Sequence, residues 1–345
     1  MDRRHRILVP AESPVTLLNE LSSSVRVPVT STIGAISVEA IKIIPLAPGQ
    51  SLSTTIASRF DCYLQITRPR IVATVIMTAA TGYLLAASEF SLTAFLTFLA
   101  GLTLISGAAN AFNQIMEKHL DAQMIRTRRR PLASGQLSSK NALIFASMIC
   151  AIGLGILYVF GILTMLLGLL ALFSYDLVYT PMKRVTPLSL YVGAIPGALP
   201  PLIGAAAVTK HLPASGLILF AILFLWQMPH FVAIGWLYRE DYARAGFHIL
   251  SVQDEKGATS AWTGVICSAA LLPVLWLAAH LHAFGGVWVF ISGALALGFI
   301  FYAAQFFRFR DVTTARRLFI ASNMFLTITM LAISMDAISR LIRSQ

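Results

Sequence analysis

Apolar residues in this chain gather into long runs closed by short polar stretches. They do not alternate as in a sheet or form the one-sided stripe of a surface helix. Nine such runs cover residues 71–88, 91–115, 141–160, 162–180, 188–208, 214–237, 260–280, 284–307 and 317–336. Each is close to the roughly 20 residues that a helix needs to cross a bilayer. The pattern predicts an all-α polytopic membrane protein, a bundle of nine transmembrane helices. Small residues inside the runs (Gly101, Gly107, Ala108, Ala109, Gly153, Gly155) mark places where membrane helices can approach closely. Pro196, Pro200 and Pro201 predict that the fifth run is kinked or broken.

Composition agrees. Of 345 residues 57% are hydrophobic and 12% charged, about half the charge of a soluble domain. Residues 1–58 differ, being mixed and Ser/Thr-rich. They show no apolar core with a small-residue cleavage site, so no secretory signal is read. Asp2, Glu12, Glu20 and Glu39 argue against a mitochondrial transit peptide. The expectation is a mostly disordered cytoplasmic tail at 1–58, followed by a transmembrane domain at 59–345. Cys62, Cys150 and Cys267 form no CxxC pair, so neither a disulfide nor a zinc framework is expected.

A net charge of +11 invites thoughts of nucleic acid, but its placement speaks against that partner. With the N-terminus in the cytoplasm, every Lys and Arg except Lys210, Arg340 and Arg343 lies on the cytoplasmic side. This asymmetry is the positive-inside pattern and predicts the orientation. The external links are very short, whereas the internal links 116–140, 181–187 and 238–259 hold nearly all the unusual residues. The cytoplasmic mouth of the bundle is therefore where chemistry is expected.

Three clusters sit there. In the first, Asn113, Glu117 and Asp121 recur every four residues. On a continuing helix they share one face, about 6 Å apart along the axis. Oxygen ligands so spaced suit Mg²⁺ completed by substrate phosphates; the plainer alternative is a solvated helix end. Arg126, Arg128, Arg129 and Arg130 follow. Guanidinium groups beside carboxylates make sense around a metal-bridged diphosphate. Part of the cluster, Arg128 and Arg129 above all, is also explained as a topology signal, which leaves Arg126 and Arg130 as the diphosphate-binding candidates.

In the second cluster Asp176 lies inside a membrane run, where a carboxylate is costly and usually functional. Tyr175, Tyr179 and Lys183 repeat every four positions, with Arg184 next to Lys183. Lys183 and Arg184 are read as diphosphate ligands, with Tyr179 beside them; an interfacial tyrosine and a snorkelling lysine are the alternative. In the third, Glu240 and Asp241 offer a second acidic metal site, or simply a charged loop. His230, beside Pro229, is either a hydrogen-bonded kink residue or a haem iron ligand.

Together these motifs resemble the UbiA-type membrane prenyltransferases. Asn113…Glu117…Asp121 with Arg126-Thr127…Arg130-Pro131-Leu132 looks like that family's first motif. Thr67-Arg68-Pro69-Arg70, Tyr179-Thr180-Pro181, Trp226-Gln227…Pro229-His230-Phe231 and Arg239-Glu240-Asp241-Tyr242 are similar to the branch that makes haem O. The resemblance covers roughly residues 60–336. It departs where relatives often carry aspartate at the positions of Glu117 and His119, and where Glu240-Asp241 stands for a spaced acid pair. It implies transfer of farnesyl from farnesyl diphosphate to protohaem IX, with Mg²⁺ held by Glu117, Asp121, Glu240 and Asp241. Asn113, Glu117, Asp121, Asp176, Tyr179 and Lys183 would be catalytic, and His230 would bind haem. Phe112 and Phe173 could shield the allylic cation. Implied too are a bacterial inner membrane, or a mitochondrial inner membrane, and a downstream haem A synthase as a partner. A quinone precursor or chlorophyllide is the rival acceptor. A transporter or an inactive assembly factor is the reading from a different class; charge crowded on one face and the lack of a clear repeat argue against transport.

Overall fold

A computed structural model of the chain describes residues 52–343. Most of the expected N-terminal tail lies outside the described residues, and the first helix begins at Leu52, ahead of the boundary expected after residue 58. The described residues form α1 (Leu52–Ile66), α2 (Pro69–Ala86), α3 (Leu92–Met116), α4 (Lys118–Gln123), α5 (Ser139–Val159) and α6 (Ile162–Phe173). A π-helical turn, Ser174–Tyr179, leads to α7 (Thr180–Met182). There follow α8 (Ser189–Thr209), α9 (Ala214–Leu237), α10 (Arg239–Arg244), α11 (Leu250–Gln253) and α12 (Ala258–Ala269), then α13 (Leu271–His280), α14 (Gly286–Phe309) and α15 (Val312–Arg343).

Nine stretches of the described residues are long and apolar enough to cross a membrane. Their bounds fall within about two residues of the runs read from the sequence, apart from the last, where α15 extends the apolar run by a turn or more at each end. The protein is a polytopic membrane protein.

The helices pack around two apolar cores. Tyr83, Phe98, Leu102, Leu157 and Ile203 build one between α2, α3, α5, α6 and α8. Leu219, Leu223, Phe299, Phe306 and Phe325 build the other between α8, α9 and α12–α15. α8 serves both, and 72% of it is buried, the largest share of any span. α8 is unbroken, running as one helix through Pro196, Pro200 and Pro201. Gln227 of α9 packs against it and donates to the Ala194 carbonyl at 3.2 Å.

That packing demands glycine where α2 meets α8. A Cβ on Gly82 would lie 1.9 Å from the Pro201 carbonyl oxygen, and one on Gly204 2.1 Å from that of Ala79. Backbone cannot yield as a side-chain tip can. Gly82→Ala is therefore expected to cost about 1–3 kcal/mol through forced helix separation, read as a lowered unfolding midpoint in detergent. An unchanged midpoint would mean that the two helices part freely.

Candidate active site

Residues of the first two clusters and His230 line one cavity of about 770 Å³, walled by α2, α3, α4, α6, the π turn, α8, α9, α10, α11 and α15. This volume lies at the upper end of the range for small-molecule sites.

The first cluster is built as the spacing requires, although not on one continuous helix. α3 ends at Met116 and α4 starts at Lys118, with Glu117 between them. Glu117 N–H still donates to Asn113 O at 2.9 Å, and Asp121 N–H to Glu117 O at 2.8 Å. The four-residue step survives, so Asn113, Glu117 and Asp121 all line the cavity, each at least 94% buried. Each already has a polar partner. Asn113 accepts from Arg68 Nη2 at 3.0 Å and donates to Thr180 Oγ1 at 2.9 Å. Lys183 Nζ lies 2.5 Å from Glu117 Oε1. Arg130 Nη1 lies 2.7 Å from both oxygens of Asp121. Burial and the neighbouring Arg68 pull the Arg130 guanidinium below its ordinary pKa, and Asp121 counteracts them.

In the second cluster a π turn interrupts the helix, yet the side chains of the four-residue repeat still reach the cavity. Thr180 N–H closes the turn on the Tyr175 carbonyl, and Tyr175, Tyr179 and Lys183 all stand on the cavity wall. Lys183 Nζ sits 4.8 Å from the centroid of the Tyr179 ring. Two expected residues are not brought there. Asp176 is buried at 2% exposure off the cavity, and neither carboxylate oxygen has a hydrogen-bond partner among the described residues. It is one position away from the face shared by the two tyrosines, so its side chain leaves the wall that they form. Arg184 is exposed and off the wall, for the same reason relative to Lys183. Phe112 packs with Ile66 and Leu132, and Phe173 is half exposed; neither lines the cavity.

The third cluster divides as well. Glu240 is exposed on α10 and does not reach the cavity. Asp241 points back into the protein and ties down the arginine loop, accepting from the backbone N–H groups of Ile125 (3.3 Å) and Arg126 (3.2 Å). Arg244 pairs with it at 2.8 Å. The loop so held presents Arg126 to the cavity, 4.8 Å from the Tyr238 ring centroid and bonded to Tyr242 Oη at 3.2 Å. Arg128 and Arg129 are exposed. In this arrangement Asp241 holds the loop, and Glu240 stands off the cavity wall. Asp241→Asn is expected to lower kcat/KM about tenfold, the scale of one lost charge-assisted bond, whereas Glu240→Gln should alter it less than twofold. Equal losses in a turnover assay would contradict this division.

Sequence reasoning missed Arg68 as a site residue, although Thr67-Arg68-Pro69-Arg70 was noticed as a motif. Arg68 caps α2 in the left-handed region (φ 52°) and lines the cavity, and its Nε is buried with no hydrogen-bond partner among the described residues. Among the described residues the cavity mouth thus carries Arg68, Arg70, Arg126, Arg130 and Lys183 against Glu117 and Asp121. Such an excess of cations is what a multiply charged anion needs.

Deeper in, His230 lines the cavity between Trp226 and Phe319, with ring centroids 4.8 and 5.2 Å away. It is neither at the mouth nor in the core.

No three acids, histidines or cysteines gather as a metal site among the described residues. Glu117 and Asp121 nonetheless fit Mg²⁺, which takes one or two carboxylates and fills its shell with phosphate oxygens and water.

Comparison with known proteins gives a consistent answer. A family model described as the UbiA prenyltransferase family matches residues 75–329. A protein named protoheme IX farnesyltransferase from Myxococcus xanthus is 41% identical over 283 residues, covering 80% of this chain and 95% of that protein. One of the same name from Christiangramia forsetii is 34% identical, covering 82% and 96%. Among solved structures, a digeranylgeranylglyceryl phosphate synthase superposes with a TM-score of 0.70 at 20% identity, over 82% of this chain and 99% of that one. A UbiA homolog from Archaeoglobus fulgidus bound to GPP and Mg²⁺ gives 0.56 at 15% identity, over 79% and 99%. The solved structures establish likeness of fold.

Proposed function

The chain belongs to the UbiA prenyltransferase family, and from that premise we propose that it transfers farnesyl from farnesyl diphosphate to a vinyl group of protohaem IX, giving haem O and diphosphate. The observation that carries this reading is the cavity with two unlike ends, a cationic mouth around two buried carboxylates and an aromatic depth holding His230.

Arg68, Arg126, Arg130 and Lys183 bind the diphosphate, and the apolar wall below takes the farnesyl chain and the macrocycle. Mg²⁺, held by Glu117 and Asp121, would supply neutralisation of charge on the leaving diphosphate. As the bond between C1 and oxygen lengthens, negative charge grows on the diphosphate, and the fixed cations stabilise it without rearranging. The vinyl group attacks C1, the resulting carbocation next to the pyrrole is captured by water, and a proton departs. Tyr179 holds the Lys183 ammonium over its ring, so the ammonium cannot swing away from the mouth. Asp176 and Glu240 have no part in these steps.

The acceptor is haem rather than a quinone precursor because the relatives that cover this chain bear the name of a haem farnesyltransferase, and because His230 is a ligand type suited to iron. The N-terminal side of the bundle, with the mouth, faces the cytoplasm of a bacterial inner membrane, in keeping with the charge asymmetry. The product passes to a haem-modifying enzyme such as haem A synthase. Incubating the purified protein with haem, farnesyl diphosphate and Mg²⁺ and weighing the product tests the reading; a mass increase of farnesyl plus hydroxyl supports it, and unaltered haem would overturn it.

A further inference from the structure

His230 has a partner that no motif announces. Its Nδ1 lies 2.8 Å from Ser322 Oγ on α15, 92 residues away in sequence. The Ser322 hydroxyl has a single proton, and its oxygen also sits 2.7 Å from the Phe319 carbonyl. A carbonyl can only accept. If the hydroxyl proton went to His230, two acceptor oxygens would face each other at 2.7 Å with nothing between them. The proton therefore belongs to the Phe319 contact, and Ser322 Oγ accepts from Nδ1–H. Nε2 is then the unprotonated nitrogen, and it has no hydrogen-bond partner among the described residues.

The same serine holds the aromatic side of the pocket. Its backbone carbonyl accepts from Trp226 Nε1 at 2.6 Å, which fixes the indole stacked on His230. Ser322 is fully buried and itself off the cavity wall, whereas His230, Trp226 and Phe319 line it. A neutral imidazole fixed in one tautomer, ringed by aromatic groups and open to a cavity through Nε2, has the form of a prepared metal ligand whose second nitrogen is held by an outer-shell partner.

We propose that Ser322 is a positioning residue that sets the His230 tautomer, so that His230 Nε2 ligates the iron of the haem substrate. This rests on the proposed haem acceptor and adds how the acceptor is oriented: iron bound at the deep end fixes the macrocycle relative to the mouth, where C1 of the farnesyl group is released. Without the Ser322 hydroxyl the imidazole is free to carry its proton on Nε2, and the ligand is lost in that tautomer.

The full-length protein in detergent, titrated with ferric protohaem, gives the test. The parent is expected to show a histidine-ligated Soret spectrum, and His230→Ala to lose it. Ser322→Ala should weaken haem binding about 10–100-fold, the usual cost of removing a ligand's outer-shell partner, and Ser322→Thr, which keeps a hydroxyl, should restore most of it. The thermal shift given by farnesyl diphosphate with Mg²⁺, which reports the mouth alone, should persist in every variant. Parent-like haem binding by Ser322→Ala would overturn the role of Ser322 and leave the haem reading standing. Equal weakening by Ser322→Ala and Ser322→Thr, or loss of the thermal shift, would reduce the residue to a packing role. A parent-like spectrum in His230→Ala would overturn the ligand. No haem binding by the parent would overturn both this inference and the choice of acceptor.

Discussion

Asp121→Asn is expected to lower turnover by about 10²–10³-fold while leaving the protein inserted and folded. Asparagine fills the same volume, so the packing at this 4%-exposed site is kept. What is lost is a negative charge that serves two purposes. Among the described residues Asp121 is one of two carboxylates on the cavity wall, and a metal with a single carboxylate left would depend on phosphate oxygens and water for the rest of its shell. It is also the partner that aims Arg130, whose Nη1 touches both its oxygens. Removing one preorganised electrostatic element from a water-poor site has an effect of this size. The loss should fall on kcat more than on KM, because the interactions concerned strengthen as charge builds on the leaving group. Mass spectrometry of the haem product across a Mg²⁺ titration checks it. Turnover within a few-fold of the parent would remove Asp121 from the machinery.

Glu117 and Asp121 could be placed in advance because a four-residue step survives a break in the helix. The backbone bonds from Glu117 and Asp121 carry the period across the junction of α3 and α4. The nine spans were legible for a similar reason: in lipid, backbone groups must be satisfied within each helix, so length and apolarity nearly decide the element. Asp176 was singled out because a carboxylate inside a membrane run is costly, an argument that does not say which face it takes, and it stands one position off the face that Tyr175 and Tyr179 share. Thr180, which closes the π turn, bonds through its hydroxyl to the Tyr175 carbonyl while accepting from Asn113, a tertiary contact that spacing along the chain does not announce. Asp241 was singled out only as a metal ligand, and its hold on the arginine loop, like Ser322 altogether, escaped for that cause. Their partners lie 115 and 92 residues away, and a sequence shows which side chains carry chemistry without showing which of them meet.

The pairing of Lys183 with Glu117 is where stability and function can be separated. Both side chains are about nine-tenths buried, 2.5 Å apart. Lys183→Met should therefore cost about 3–5 kcal/mol in unfolding free energy, because it leaves Glu117 charged and buried without its counterion. Glu117→Gln added to Lys183→Met should recover most of that loss, since an uncharged amide opposite a thioether has no such penalty. Turnover should follow neither change. It should stay below about one hundredth of the parent value in both variants, because each lacks the ammonium that meets the diphosphate, and the double variant also lacks a carboxylate for the metal. Chemical unfolding and product mass, measured on the parent, both single variants and the double variant, form the cycle. If the double variant were no more stable than Lys183→Met, the two charges would not be coupled. If Lys183→Met kept its turnover, the ammonium would be a structural counterion to Glu117 alone, and the cationic mouth would have to work through its arginines.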